Sequence, residues 1–285
     1  MKTLEAQRPN FIGWVLIALS ASYLFIMVFL PLFAALGEAS KLGWEGYWKG
    51  LSHPNTLSAL GLTLLTSAVV IPINVVLGLF AAWALAKFRF PGRSFLITLL
   101  DLPFSISPII VGFLFVLVYG KYGLLGPLLD DMGFQIIFSW PALVLTTTFV
   151  TFPFIVRELL PTMEELGNEE EEAAITLGAS GWQTFWKVTL PNIKWALLYG
   201  AVLANARAMG EFGAASVVSG FIRGKTVTLP LSIEIAYNEF QMVQAFSAAT
   251  LFVLFAVLTL VLKLILGRLS KRNRLAASAL KETSS

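Results

Sequence analysis

The stretch EEEEAAITLGASGWQTFWKVTLP, Glu169 to Pro191, decides how this chain is organised. It lies between two long apolar segments and opens with four glutamates, which favour helices and suit a helix N-terminus. Gly178 and Gly181 predict the end of one helix and the start of another. Pro191 predicts an interruption, with Leu190 in an extended conformation. The stretch therefore predicts a short helix-turn-helix hairpin beside a membrane.

The composition predicts a membrane protein. The chain has 285 residues, of which 57% are hydrophobic and only 13% charged, and its mean hydropathy is +0.78. Soluble domains have about 25% charged residues. The absence of cysteine excludes disulfides, thiolate metal sites and cysteine nucleophiles. The single histidine, His53, stands beside Pro54 in a polar connector and is expected to be a surface residue.

Six apolar segments are long enough to cross a bilayer core, which needs about 20 residues of helix. They cover residues 11–33, 57–86, 95–118, 136–156, 195–219 and 246–266. With the N-terminus inside, most lysines and arginines outside the segments fall on the inner side, as cytoplasmic loops require. The chain is therefore expected to be an all-α polytopic protein of one domain, residues 1–285. Both termini and the loop 157–193 are expected to be cytoplasmic.

The four middle segments contain prolines and polar or ionisable residues. A proline inside a span is tolerated where neighbouring protein or water satisfies the freed carbonyl. Ionisable residues inside a span face a bundle interior or a wet cavity. These segments are therefore expected to form a packed bundle with a polar route, while the first and last face lipid. Asp101 is expected to cap backbone amides freed around Pro103.

The spacing of the hairpin residues is similar to a known motif. Glu172-Ala173-Ala174, then Gly178 and finally Leu190-Pro191 resembles the EAA loop of membrane subunits of bacterial ABC importers. Val188 departs mildly from the isoleucine of that pattern. The stretch ARAMGEFGAASVVSG, residues 206–220, is similar to W-type subunits of sulfate/thiosulfate permeases, and molybdate permeases have a related stretch.

The resemblance implies a type I ABC importer-like fold and a non-catalytic permease subunit of the bacterial inner membrane. It implies a T-type sister permease, two ATPase subunits that bind ATP and Mg, and a periplasmic sulfate-binding protein. The chain itself is expected to bind no cofactor, metal or nucleic acid. Gly178 is expected to let the two short helices meet closely. The residues expected to couple to the ATPase are Glu172, Ala173, Ala174, Gly178, Leu190 and Pro191.

Three alternatives remain at this point. A molybdate or other oxyanion permease would form its pore from two copies of this chain. A secondary transporter or channel has no need of an apolar hairpin outside the membrane. A membrane enzyme is disfavoured, because the chain has no HExxH and no GxSxG motif. Gly224-Lys225-Thr226 resembles the end of a phosphate-binding loop, but Ser219 stands where that pattern needs glycine.

Arg207 and Glu211 are four residues apart and are expected to share a helix face midway through the fifth segment. An arginine there costs about 2.5–3.5 kcal/mol on insertion scales. Two interpretations remain open: a structural clamp, or an electropositive point that attracts a tetrahedral dianion. Ser105, Ser107 and Ser216 are candidate hydroxyl donors along the path, although each can instead bond its own helix.

Overall fold

The computed structural model describes residues 10–41 and 43–284, with side chains to residue 267. Within these ranges every regular element is a helix. In chain order they are α1 Phe11–Ala39, α2 Gly43–Leu51, α3 Pro54–Lys87, α4 Arg93–Leu99, α5 Leu102–Ser105, α6 Pro108–Tyr119, α7 Gly126–Asp131, α8 Trp140–Leu166, α9 Glu169–Thr176, α10 Gly181–Thr184, α11 Leu190–Met209, α12 Gly213–Val218, α13 Leu229–Asn238 and α14 Met242–Ser284. A π-helical turn, Phe185–Thr189, joins α10 to α11.

Four helices in the described ranges are long and apolar enough to cross a membrane: α1, α3, α8 and the Met242–Gly267 part of α14. The expected third segment, 95–118, is divided. Its first part, α4 and α5, is bent by 106° from α6, and the whole has the length of a fifth span. Pro103 and Pro108 lie in the first turns of α5 and α6. A proline has no N–H for the preceding turn, so the helix restarts at each of them.

The expected fifth segment, 195–219, is also divided. Its helix, α11, starts earlier and ends at Met209, and α12 begins after a short break. Gly210 ends α11, and the Glu211 carboxylate accepts a hydrogen bond from the Ala214 N–H at 2.9 Å. A side-chain acceptor at this place satisfies an amide that a helix start leaves without a partner. The break is therefore stabilised locally.

The helices differ in how much of their apolar surface the chain itself covers. Ala39 is the one buried residue of α1, and only 6% of the most apolar stretch of α14 is buried. By contrast, more than half of the apolar stretch of α8 is buried. This distribution agrees with the expectation that the first and last segments face lipid.

The core lies where α3 and α11 pack on α8. Gly78 of α3 lies directly against Ile155 of α8, and a Cβ added at Gly78 would lie 2.7 Å from Ile155 Cγ2. The same helices share a polar contact, in which Asn74 Nδ2 donates to Thr151 Oγ1 at 2.6 Å. Small residues allow such close helix approach in membranes, where dispersion contacts and interhelical hydrogen bonds replace the hydrophobic driving force.

Asp101 does not cap an amide, so that expectation is wrong. Its carboxylate instead forms an ion pair with Arg157 of α8. The guanidinium also lies 4.3 Å from the centre of the Phe104 ring, a cation–π distance. Asp101 lies between α4 and α5, so a side chain far along the sequence joins this part of the divided segment to α8.

We expect Gly78→Ala to destabilise the protein by about 1–3 kcal/mol, because the added methyl group overpacks the contact with Ile155. The control is Gly61→Ala on the same helix, where an added Cβ meets nothing within 4 Å. The measurement is the thermal denaturation midpoint of each purified variant in detergent. Equal midpoints for the two variants would show that α3 and α8 are not packed this closely.

Candidate functional site: the hairpin after α8

Most of the expected loop 157–193 is helical. Helix α8 continues to Leu166, well beyond the expected segment end at residue 156. Two residues separate the end of α8 from the start of α9. The chain then turns into α10, which enters α11 through the π-turn. The Ser180 hydroxyl accepts from the Gln183 N–H, and the Gln183 side chain accepts from the Ser180 N–H. This reciprocal capping box fixes the start of α10.

Gly178 ends α9 in a Schellman motif. The Ala179 N–H donates to Ala174 O at 3.0 Å, and the Gly178 N–H donates to Ile175 O at 2.9 Å. The φ angle of Gly178 is +91°, in the left-handed region that side chains disfavour. An added Cβ would meet nothing within 4 Å. The expected reason for this glycine, close approach of two helices, is therefore wrong: the backbone conformation requires it.

Leu190 is not extended, which corrects a second expectation. Its φ and ψ are −63° and −43°, and it is the first residue of α11. The Leu190 N–H donates to Phe185 O, five residues earlier, as in a π-turn. Pro191 follows in the first turn of α11, where proline is tolerated. The chain therefore passes from the hairpin into α11 as one irregular helix.

Lys87, the last residue of α3, anchors the hairpin. Its Nζ lies 2.7 Å from Gly167 O, 3.0 Å from Asn168 Oδ1 and 2.9 Å from Glu171 Oε2. The side chains of Lys87 and Glu171 are only 10% and 19% exposed. The other Glu171 oxygen accepts from the Thr189 hydroxyl at 2.6 Å. One half-buried carboxylate thus joins α9 to the end of α3 and to the π-turn.

Sequence reasoning missed Lys87. In the sequence it is one of several basic residues beside a span, and nothing there distinguishes it from a residue that orients the chain. Its partners lie about 80 residues later. The four glutamates that open α9 were the available signal, since a partly buried carboxylate needs a cation.

The outer surface of the hairpin is apolar and exposed. The Leu177 side chain is 89% exposed, and Ile175 is also exposed. Trp182, Phe185 and Trp186 contact one another with ring centres 5.5–6.2 Å apart, and both indoles are exposed. An apolar patch on a charged hairpin is typical of a protein–protein contact. Glu172 and Ala173 are exposed on α9 as well, and Ala174 is half-buried.

Arg207 and Glu211 form an ion pair but do not share a helix, which corrects the sequence expectation. Arg207 lies in the last turn of α11, and Glu211 follows the helix end. Arg207 Nη1 lies 2.6 Å from Glu211 Oε2. The Glu211 side chain is 2% exposed and the Arg207 side chain 31% exposed. The buried carboxylate is thus held by Arg207 and by the start of α12, while the guanidinium stays partly accessible.

The three candidate serines differ in their contacts. Ser105 Oγ donates to Asp101 O at 3.1 Å, and Ser216 Oγ donates to Gly213 O at 2.8 Å. Both hydroxyls therefore bond their own segments. Ser107 precedes α6 and is exposed. Within the described ranges, no three His, Asp or Glu side chains come together as metal ligands do.

Comparison with known proteins identifies the family. The profile of the binding-protein-dependent transport system inner membrane component family matches residues 74–275. The chain belongs to this family. The matched range includes α8, the hairpin and α11, and so contains the whole candidate site.

The curated relatives are permeases. The chain is 50% identical to the sulfate transport system permease protein CysW of Synechocystis over 93% of its length and 96% of the relative. It is 48% identical to CysW of Escherichia coli over 92% of its length and 90% of that protein. It is 36% identical to the sulfate transport system permease protein CysT of Escherichia coli, with 86% and 91% covered.

Solved structures show the same fold. A bacterial ABC transporter that imports the acidic polysaccharide alginate matches with a TM-score of 0.69 over 91% of this chain and 96% of that one. The alginate transporter in complex with a pentasaccharide-bound periplasmic protein matches with a TM-score of 0.70 over 91% and 94%. The identities are 19% and 20%, so these matches establish the ABC importer permease fold alone.

We expect the hydrogen bonds of α9 to open more often in Gly178→Ala. A side chain in the left-handed backbone region costs about 1–2 kcal/mol of conformational free energy. Amide hydrogen exchange in α9 should accelerate about 5–30-fold. Gly178→Asn should have a smaller effect, since asparagine tolerates this conformation better. Gly181→Ala is the control, because it has no positive φ and open space around it. Unchanged exchange in Gly178→Ala would contradict the assigned backbone geometry.

We expect Lys87→Met to loosen the hairpin, because Glu171 then loses its cation in a mostly buried place. A nitroxide attached to a cysteine at Gly181 should show increased mobility in its EPR spectrum. Lys194→Met, which removes an exposed lysine of α11, should leave the spectrum unchanged. Adding Glu171→Met to Lys87→Met should restore part of the immobilisation. An unchanged spectrum in Lys87→Met would exclude Lys87 as the anchor.

Proposed function

We propose that this chain is the permease subunit of an ATP-driven importer for sulfate or thiosulfate and forms half of the translocation pore. The observation that supports this most strongly is the exposed apolar hairpin anchored to α3 and α8 in a chain about 50% identical to CysW permeases. A separate ATPase supplies the energy, and the hairpin is the surface on which it docks. The relatives favour sulfate over molybdate.

The pore is completed by a T-type sister permease. The 36% identity to CysT shows that two related sulfate permease chains exist, and one of each gives a heterodimer. Two ATPase subunits bind ATP and Mg on the hairpin side. A periplasmic sulfate-binding protein delivers the anion on the other side, and the alginate transporter complex supports a partner of this kind. In this proposal both termini lie in the cytoplasm and the chain lies in the bacterial inner membrane.

The hairpin moves the membrane helices because it is fixed to two of them. Two residues, Gly167 and Asn168, separate α9 from α8, and Lys87 binds both as well as Glu171. When ATP closes the ATPase pair, a displaced hairpin therefore moves α3 and α8 together. Arg157 of α8 transmits the motion to the divided segment through Asp101. The pore then opens alternately to either side, as rigid-body switching transitions do.

The Arg207–Glu211 pair is primarily a clamp in this proposal. Glu211 is almost completely buried and stabilises the start of α12. An arginine whose charge is already balanced by such a carboxylate attracts an anion weakly. The accessible part of the guanidinium remains a contact for the anion during passage.

The function is tested with the chain, its sister permease, the ATPase and the binding protein reconstituted in liposomes. We expect radiolabelled sulfate to accumulate only when ATP is supplied on the hairpin side, and sulfate-loaded binding protein to stimulate hydrolysis. Stimulation by molybdate but not by sulfate would favour the molybdate permease. Sulfate uptake without ATP would contradict the importer and favour a secondary transporter or channel.

The clamp is tested with Arg207→Ala, Glu211→Gln and the two combined. Arg207→Ala leaves a buried unpaired carboxylate, which costs about 3–5 kcal/mol, so little complex should be recovered. The double variant should restore recovery, since glutamine still accepts from the Ala214 N–H without a charge. The readouts are complex recovery and sulfate-stimulated ATPase activity. Normal recovery of all variants, with transport lost whenever Arg207 is absent, would make Arg207 a pathway residue.

A further inference from the structure

The short helix α2 presents two indoles that no other part of the described chain covers. It lies between α1 and α3, and its Trp44 and Trp48 side chains are 77% and 59% exposed. The two rings are four residues apart on one helix face, with centres 6.2 Å apart. Trp44 also stacks on Tyr47 at 5.7 Å. The aromatic surface is therefore ordered.

Helix α2 is fixed to α14. The Tyr47 hydroxyl lies 2.7 Å from the Thr250 hydroxyl, which itself donates to Ser247 O at 2.7 Å. Gly50 lies directly on the same helix, since an added Cβ would be 3.0 Å from Ser247 Oγ. Helix α2 thus cannot move along α14 without breaking these contacts. Its depth in the membrane is therefore set by the depth of Ser247 and Thr250.

Ser247 and Thr250 lie near the N-terminal end of the α14 span. Ser247 and Thr250 are five and eight residues beyond Met242, where α14 begins, or about 8–12 Å along its axis at 1.5 Å per residue. Helix α2 also directly precedes α3, whose other end holds the hairpin. Helix α2 therefore lies near the N-terminal end of α14, on the side opposite to the hairpin.

The polar residues of α2 fit the same placement. Glu45 and Lys49 are exposed and four residues apart, so they share a second face, turned about 100° from the indoles at 3.6 residues per turn. Tryptophan is enriched at membrane interfaces because one end of the indole is apolar and its N–H is polar. An amphipathic helix of this kind lies in the plane of the interface.

We propose that α2 is an interfacial helix whose Trp44 and Trp48 indoles contact lipid in the leaflet opposite to the hairpin. The partner is lipid because α2 combines paired indoles with a separate polar face, as helices that lie in the membrane interface do. The contacts with Thr250 and Ser247 then hold α14 at a fixed depth. The inference does not depend on the transported substrate.

The test uses nitroxides at Trp44→Cys and Trp48→Cys, one at a time, in the complete complex reconstituted in liposomes. The chain has no cysteine, so these labels report only the chosen sites of this subunit. Collisions with oxygen, which concentrates in lipid, are compared with collisions with a water-soluble nickel chelate. We expect oxygen to dominate at both positions, and nickel to dominate at the control Glu45→Cys on the polar face.

Two results would overturn the proposal. Nickel accessibility at positions 44 and 48 equal to that at 45 would place α2 in water. Low accessibility to both reagents would show that another polypeptide covers the indoles. Each variant retains the other indole and both contacts with α14, and sulfate uptake identifies variants that have lost the fold. The two positions give independent answers, so failure of one variant leaves the other decisive.

Discussion

The close contact between α3 and α8 at Gly78 and Ile155 determines the position of everything else in the candidate site. Because the two backbones approach so closely, the end of α3 lies beside the end of α8. Lys87 then reaches the two residues that follow α8 and the Glu171 carboxylate. The hairpin therefore has a fixed orientation relative to the bundle, and its apolar surface is presented outward.

The approximate positions of the four long apolar helices and the existence of a hairpin could be predicted, since apolar runs, prolines and glycines are local signals. The divisions of the third and fifth segments were not predicted. The partners of the charged residues could not be predicted, because they come from distant parts of the chain. Arg157 binds Asp101 from 56 residues away, and Lys87 binds partners about 80 residues away. The helical conformation of Leu190 was missed because a π-turn precedes Pro191, and no sequence pattern announces one.

Three ion pairs recur at the places where helices are interrupted. Lys87 with Glu171 lies at the hairpin, Arg157 with Asp101 at the divided third segment, and Arg207 with Glu211 between α11 and α12. An interruption leaves backbone groups without helical partners, and in a bilayer such backbone is tolerated only where protein or water surrounds it. An ion pair binds the interrupted chain to a neighbouring element, so each break has a defined geometry. Breaks of defined geometry are compatible with a subunit whose helices move as rigid units.

The central claim is that the apolar surface of the hairpin docks on an ATPase subunit. The most direct measurement places a photo-reactive amino acid at Leu177, which is 89% exposed on the hairpin, and identifies the cross-linked partner in the assembled complex by mass spectrometry. The matched control is Leu124, an 83% exposed leucine in the loop between α6 and α7. The account predicts cross-links to the ATPase from position 177 and none from position 124. Cross-links to the ATPase from position 124, or only to lipid from position 177, would contradict it.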